Sequence, residues 1–368
     1  MLAYYLWAST AFNEFSPNGY YNYLARGFAS GHLYVPIEVN PKLLELENPY
    51  DPEVPDELRM SDMALYEGRY YLYHGPAPVL LTFLPIHRLF HRDLPENLAL
   101  FLFACAGFLA NLMTLRKFHP DAGSLLYLGL GLANGIPFLL HRAMVYEVAI
   151  GCGYACLAVG FALYFRGKHA LAGIAFAFAI LSRPHLGLAL LFVSPRCWPT
   201  ASLGVLASLS YNYLRFHWPF EFGLHYLLAG PGQQSPNFRG EAIFPSLYMF
   251  LLHPPEWLAK FPFLRITRDP AIALPPQFFH ENIMGALWLA PFLVLQRPKW
   301  RLAATGAALL LFLSSAGWVT QRYVVDFLPW MVLAALCQKA NPRLRNPLIA
   351  MAVVMNLLLH WQGPYNAP

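Results

Sequence analysis

Residues 97–115 and 123–140 contain no charged side chain, and residues 145–165 contain one, Glu147. Runs of that length and character avoid water, and about 20 consecutive apolar residues are what a helix needs to cross a bilayer. The pattern continues through 169–182, 185–194, 200–214, 283–296, 302–317, 324–338 and 347–361. Several of these are short and read as tilted, paired or partly re-entrant. Only 12% of the side chains are charged, against roughly 25% in a soluble domain. Neither a water-soluble surface nor a disordered chain is built from so few charges. With 57% hydrophobic residues and a mean hydropathy of +0.40, the expected fold class is an all-α polytopic membrane protein of about eleven transmembrane helices. The 16% aromatic content and 32 prolines exclude a simple coiled coil.

Residues 1–12 are apolar but too short to span, and they lack the basic start and small-residue cleavage site of a signal peptide. They read as the end of a truncated first transmembrane helix. The expected organisation then runs as an outer loop with juxtamembrane helices at 13–96, a transmembrane bundle at 97–214, a second outer loop at 215–282 and C-terminal transmembrane helices at 283–368. Sidedness turns on residues 76–91, which are apolar yet interrupted by Pro85, His87, Arg88 and His91. If this element lies at the interface without crossing, one set of loops collects 11 basic residues against one acid, Asp121, for +10, leaving −5 on the other side. The positive-inside rule makes the first set cytoplasmic and puts both large loops outside. The five cysteines all fall in apolar spans or at their edges, so no disulfide framework is implied. No N-glycosylation sequon occurs, which points to a bacterial source, so the expected location is a bacterial inner membrane, with the site facing outward by the loop charges.

The first loop opens with Asn13-Glu14 at the membrane edge. Ser16-Pro17 supplies a helix cap and a first-turn proline. Tyr20, Tyr21, Leu24 and Phe28 then give an aromatic face expected to lie in the headgroup layer, with Gly31 as the stop. Residues 48–52 carry turn chemistry, and the Tyr-rich stretch after Gly68 reads as an interfacial strand or turn leading into a surface helix. Arg142, Arg183, Arg215 and Arg322 each fall at the outer mouth of an expected span. Such forks suit a lipid-linked phosphate or pyrophosphate; alternatively they pair with local acids or headgroups. Glu14, Asp62 and Glu147 are the candidate carboxylates, Glu147 pairing with Arg142 or His141. Asp326 follows Arg322 by four residues, so the two are expected to pair on one helix face.

No phosphate-binding loop, dinucleotide glycine pattern, metal-ligand spacing or nucleophile elbow is present, and the basic residues form no nucleic-acid patch. The substrate must carry its own activation, or something moves down a gradient. Asp51, Asp62 and Glu14 offer oxygen ligands, yet no metal and no cofactor is expected.

These features resemble the GT-C superfamily of integral-membrane glycosyltransferases. The resemblance is organisational over almost the whole chain and rests on Glu14 after the first helix, Arg142 and Glu147 at the second outer turn and Ser182-Arg183-Pro184 at the third. Residues 48–51 and 62–76, the run Tyr211-Asn212-Tyr213-Leu214-Arg215-Phe216, the run Glu221-Phe222-Gly223 and Arg322-Tyr323-Val324-Val325-Asp326-Phe327 resemble a group of poorly characterised bacterial members. The resemblance implies a polyprenyl-phosphate-linked sugar donor and a glycan, lipid or protein acceptor, with membrane lipids around the protein. It makes Glu14 the acid that orients or deprotonates the acceptor. Many relatives carry two acids there; here Asn13 precedes Glu14, so Glu14 acts alone or Asp62 or Glu147 supplies the second. Arg142, Arg183, Arg215 and Arg322 are the expected phosphate ligands, and Tyr71, Tyr73 and His74 are further expected substrate-binding residues. The rival readings are a transporter or flippase of a lipid-linked glycan, and an accessory subunit that binds such a glycan without catalysis.

Overall fold

The computed structural model describes residues 1–11, 14–15, 19–229, 238–276, 278–295, 299–338 and 340–362, with the side chains of Glu14, Phe15 and Gln362 excepted. The Ser16-Pro17 helix start, Asn13, and the loop cations Arg297 and Lys339 lie outside the described residues. The described residues are 62% helical, in keeping with an all-α fold. Three helices among the described residues are long and apolar enough to cross a membrane: Glu96–Phe118, Val145–Tyr164 and Pro342–Trp361. At 1.5 Å per residue each reaches about 30 Å, the thickness of a hydrocarbon core.

The count of eleven spans is therefore corrected. Glycine and proline break the apolar runs that hydropathy alone reads as continuous. Gly135, at φ 81°, and Pro137 split 123–140 into helices Ser124–Leu132 and Ile136–Leu140. Pro184 ends helix His169–Ser182 and starts a 3₁₀ segment, Pro184–Phe192. Residues 283–296 yield only the one-turn helix Ala286–Leu289 and the 3₁₀ segment Pro291–Leu295. Helix Val324–Leu336 has 13 residues, and Trp198–Phe216, although 19 long, is diluted by Thr200, Ser202, Ser208, Ser210 and Asn212.

Helix Val145–Tyr164 is central, 89% of its apolar window being buried, whereas Pro342–Trp361, at 39%, is peripheral. Helices of the bundle approach one another closely where small residues face a neighbour. A Cβ on Gly107 of helix Glu96–Phe118 would stand 2.1 Å from the Tyr154 ring, and one on Gly204 would stand 2.4 Å from the Ala177 carbonyl oxygen. Helix Glu96–Phe118 follows Pro95, begins with an acid and ends in Arg116 and Lys117, charges matched to its dipole.

The two large loops meet at one end of this bundle. Helix Tyr20–Ala29 buries Tyr20, Tyr21 and Leu24, and Tyr21 stacks on Phe83 at 5.3 Å. This corrects the headgroup expectation, because the π-helical turn Val79–Phe83 and helix Leu84–Phe90 cover the aromatic face. Asn48 makes the expected turn by accepting from the Tyr50 amide at 3.2 Å. Strands Ala64–Tyr66 and Arg69–Tyr71 form a hairpin through Glu67 and Gly68, both at positive φ as a two-residue hairpin turn requires. The second loop is stitched to it: the Asp62 amide donates to the Leu228 carbonyl and the Leu228 amide to that of Met63, both at 2.8 Å. Two short parallel pairs then tie the loops to helix starts. Glu14–Phe15 lies beside Arg142–Ala143, and Phe279–His280 beside Trp318–Val319.

Candidate functional site

The two helix starts bring cations and acids together. Helix Val145–Tyr164 opens with Tyr146 and Glu147, immediately after the extended pair Arg142–Ala143. Helix Val324–Leu336 is preceded by the 3₁₀ turn Gln321–Tyr323, which carries Arg322. The Arg322 guanidinium makes a bidentate contact with Glu281, donating through Nη1 at 2.9 Å and Nη2 at 3.1 Å. It also lies over the Tyr146 ring at 4.8 Å. Glu147 is fully buried, neither carboxylate oxygen has a hydrogen-bond partner, and Arg322 Nη1 stands 4.0 Å away.

Asp326 does not pair with Arg322. The turn before the helix rotates Arg322 away from the face it would share with Asp326 in continuous helix, and Asp326 is taken up across the bundle instead. Its Oδ2 accepts from Arg183 Nη2 at 2.9 Å and lies 3.1 Å from His185 Nε2. The break at Ser182-Arg183-Pro184 makes this possible, because it turns both Arg183 and His185 toward helix Val324–Leu336. His185 stacks on Phe312 at 5.1 Å, with the rings 9° from parallel, and Arg183 lies over Tyr323 at 5.2 Å.

A cavity of about 330 Å³ opens at this break. Ser182, Arg183 and His185 line one part, Tyr73, His74 and Tyr323 another, and Phe222, Leu224, Phe238, Phe312 and Leu313 make an apolar wall. A smaller recess shares Tyr73, Trp318 and Tyr323 with it and reaches Arg322 and Tyr146. Asp62 stands near this recess on a half-buried, left-handed backbone position at φ 63°. Burial raises its carboxyl pKa above the ordinary range, with Tyr146, Arg322 and Arg142 acting in the opposite direction. Burial, assisted by Arg183 and Arg322, pushes the His74 imidazole well below its usual value, and burial raises the Tyr73 hydroxyl.

The sequence candidates thus separate into two places. Asp62, Glu147, Arg142, Arg183, Arg322, Tyr73 and His74 gather around the cavity and its recess. The backbone of Glu14 is in register with Arg142 at the same end. Arg215 and Tyr71 do not line the cavity. The Arg215 guanidinium is committed to the Leu72 carbonyl at 2.6 Å and to Asn212 at 2.8 Å, while Tyr71 packs on Phe216 at 5.4 Å. His185 and Glu281 were not singled out by sequence. Their only local signals are an imidazole directly after Arg-Pro and an acid directly before an apolar run. Among the described residues no group of three or more His, Cys, Asp or Glu side chains is arranged to hold a metal ion.

Gly75 holds the first loop against this break. A Cβ there would meet the Leu181 carbonyl oxygen at 1.8 Å and its carbon at 2.7 Å, and backbone does not yield as a side-chain end does. Gly75→Ala is expected to cost about 1–3 kcal/mol through overpacking, read as a lower unfolding midpoint in detergent.

No family model, curated protein or solved structure matches this chain.

Proposed function

We propose that this protein is an integral-membrane glycosyltransferase of the GT-C kind. It moves a sugar from a polyprenyl-phosphate donor to an acceptor on the outer face of a bacterial cell membrane. The observation that carries this reading is the cavity at the Ser182-Arg183-Pro184 break, lined by the Arg183 guanidinium together with apolar side chains such as Phe222, Leu224, Phe238 and Phe312, with a half-buried carboxyl nearby. A lipid phosphate has that same division into charge and hydrocarbon. In this reading that end of the bundle faces outward.

In the proposed reaction Arg183 supplies the charge that takes the donor phosphate, His185 beside it donates a hydrogen bond, and Asp62 receives the proton of the acceptor hydroxyl. The acceptor oxygen bonds to the anomeric carbon as the carbon–oxygen bond to phosphate breaks, and the phosphate leaves with the electron pair. Glu281 holds the cation Arg322 near the reacting end, and Glu147 adds its charge from 4.0 Å away. Glu14 is the second candidate for the proton. General-base assistance supplies about 10²–10⁴-fold, and fixed cations on a leaving phosphate a comparable factor.

A base works only when ionised, so transfer falls as pH drops through its pKa. Because burial raises that of Asp62, the acid limb of kcat/KM is expected above the ordinary carboxylate range. In Asp62→Asn that limb should disappear from the residual activity.

The decisive experiment is mass spectrometry of lipid-linked and surface glycans from a deletion strain complemented with wild type, Asp62→Asn or Glu14→Gln. A glycan lacking one sugar, restored by wild type and not by Asp62→Asn, is the expected result. Restoration by Asp62→Asn but not by Glu14→Gln would move the base to Glu14. Unchanged glycans in the deletion strain would favour transport without chemistry, for which the broken helix at Arg183 is also suited.

A further inference from the structure

We infer that His74 reads a hydroxyl of the donor's sugar, so that sugar recognition is separable from phosphate binding at Arg183 and His185. This rests on the glycosyl-transfer reading above. The imidazole lines the same cavity as Arg183 and His185, is only 8% exposed, and its Nε2 is buried with no hydrogen-bond partner. A buried polar nitrogen without a partner is costly to keep, and here it is kept beside an open space. Its position is firmly set: Tyr73 lies against the ring at 4.1 Å, Tyr146 meets it edge-on at 5.3 Å, and the next residue, Gly75, is wedged against Leu181.

The electrostatics decide what such a group binds. Burial and the neighbouring guanidinia of Arg183 and Arg322 keep the imidazole neutral at physiological pH. It is therefore not a counter-ion for phosphate, while a neutral imidazole offers one donor and one acceptor. An uncharged hydroxyl satisfies it, and Tyr73, Trp318 and Tyr323 provide aromatic surface for the ring that carries that hydroxyl. A site built to hydrogen-bond a hydroxyl rejects a ligand without one far more strongly than an apolar pocket does.

The test uses the full chain in lipid nanodiscs and a panel of polyprenyl phosphodiesters, each bearing one hexose or pentose. The control is the methyl phosphodiester of the same polyprenol, which keeps the single charge and lacks the sugar. Wild type is expected to bind at least one sugar-bearing lipid about tenfold more tightly than the methyl diester. His74→Phe, which keeps an aromatic ring, should abolish that preference with methyl-diester affinity unchanged, and His74→Gln should restore part of it. Arg183→Gln should weaken both ligands together. A preference retained in His74→Phe, an equal loss for both ligands in that variant, or no sugar preference in wild type would overturn the assignment of His74. No binding of any polyprenyl phosphodiester by wild type would instead bring down the glycosyl-transfer reading, and this inference with it.

Discussion

Asp62→Asn is expected to lower sugar transfer by about 10²–10⁴-fold while leaving the fold at least as stable as wild type at neutral pH. Both halves follow from the same environment. Burial lifts the Asp62 carboxyl above the ordinary range, so the folded protein binds this proton more tightly than the unfolded chain does. Between the unfolded and folded values, ionising the group costs stability as pH rises, and above the folded value that cost is complete. The amide carries no such cost and cannot accept the proton. The checks are transfer to a defined acceptor and unfolding in detergent across a pH series. Full transfer by Asp62→Asn would remove it as the base. A collapse in its stability would show that the carboxylate is instead held by the fold.

The largest expected loss of stability belongs to Asp326. Its side chain is 2% exposed, and one oxygen serves both Arg183 at 2.9 Å and His185 at 3.1 Å. Asp326→Ala leaves the Arg183 charge, itself 11% exposed, with no carboxylate partner. Breaking such a pair from one side costs about 3–5 kcal/mol, much of it the penalty of the stranded charge. Asp326→Asn keeps an acceptor without the charge and is expected to fall between. Replacing both partners, as in Arg183→Met with Asp326→Leu, should recover much of the loss, because no charge is then stranded. A double-mutant cycle on the unfolding midpoint reads the coupling directly. Near-additivity of the two single effects would show that the pair contributes little to the fold. The doubly apolar protein should still lose donor binding, since its cavity lacks the Arg183 guanidinium.

The helical, lipid-compatible character was legible because it rests on long stretches of like residues. Residues 97–115 and 145–165 announce helices Glu96–Phe118 and Val145–Tyr164 almost to their ends. The number of crossings was not legible, because it turns on single residues such as Gly135, Pro184 and Pro291 that break a run without changing its hydropathy. In the site, Arg183 stood out because Ser-Arg-Pro interrupts an apolar run. Its partner did not, since Asp326 had a nearer match in Arg322 under helical spacing and that spacing fails in a 3₁₀ turn. Tyr71 and Tyr73 share strand parity, which suggests a common face. The strand ends at Tyr71, however, and only Tyr73 reaches the cavity. The aromatic face of helix Tyr20–Ala29 misled for a related reason: amphipathicity reports that a face is covered, and here the cover is protein.

The ion pair between Arg183 and Asp326 also has a chronology. Its members are 143 positions apart, and at a synthesis rate of about 5–20 residues per second the arginine waits roughly 7–30 s for its carboxylate. During that interval the break after helix His169–Ser182 must keep its cation among headgroups or water, and it is drawn into the bundle only when helix Val324–Leu336 arrives. The cavity thus takes shape only after residue 326 has been made. A chain that stops short of Asp326 carries the Arg183 charge without the carboxylate that neutralises it in the finished bundle.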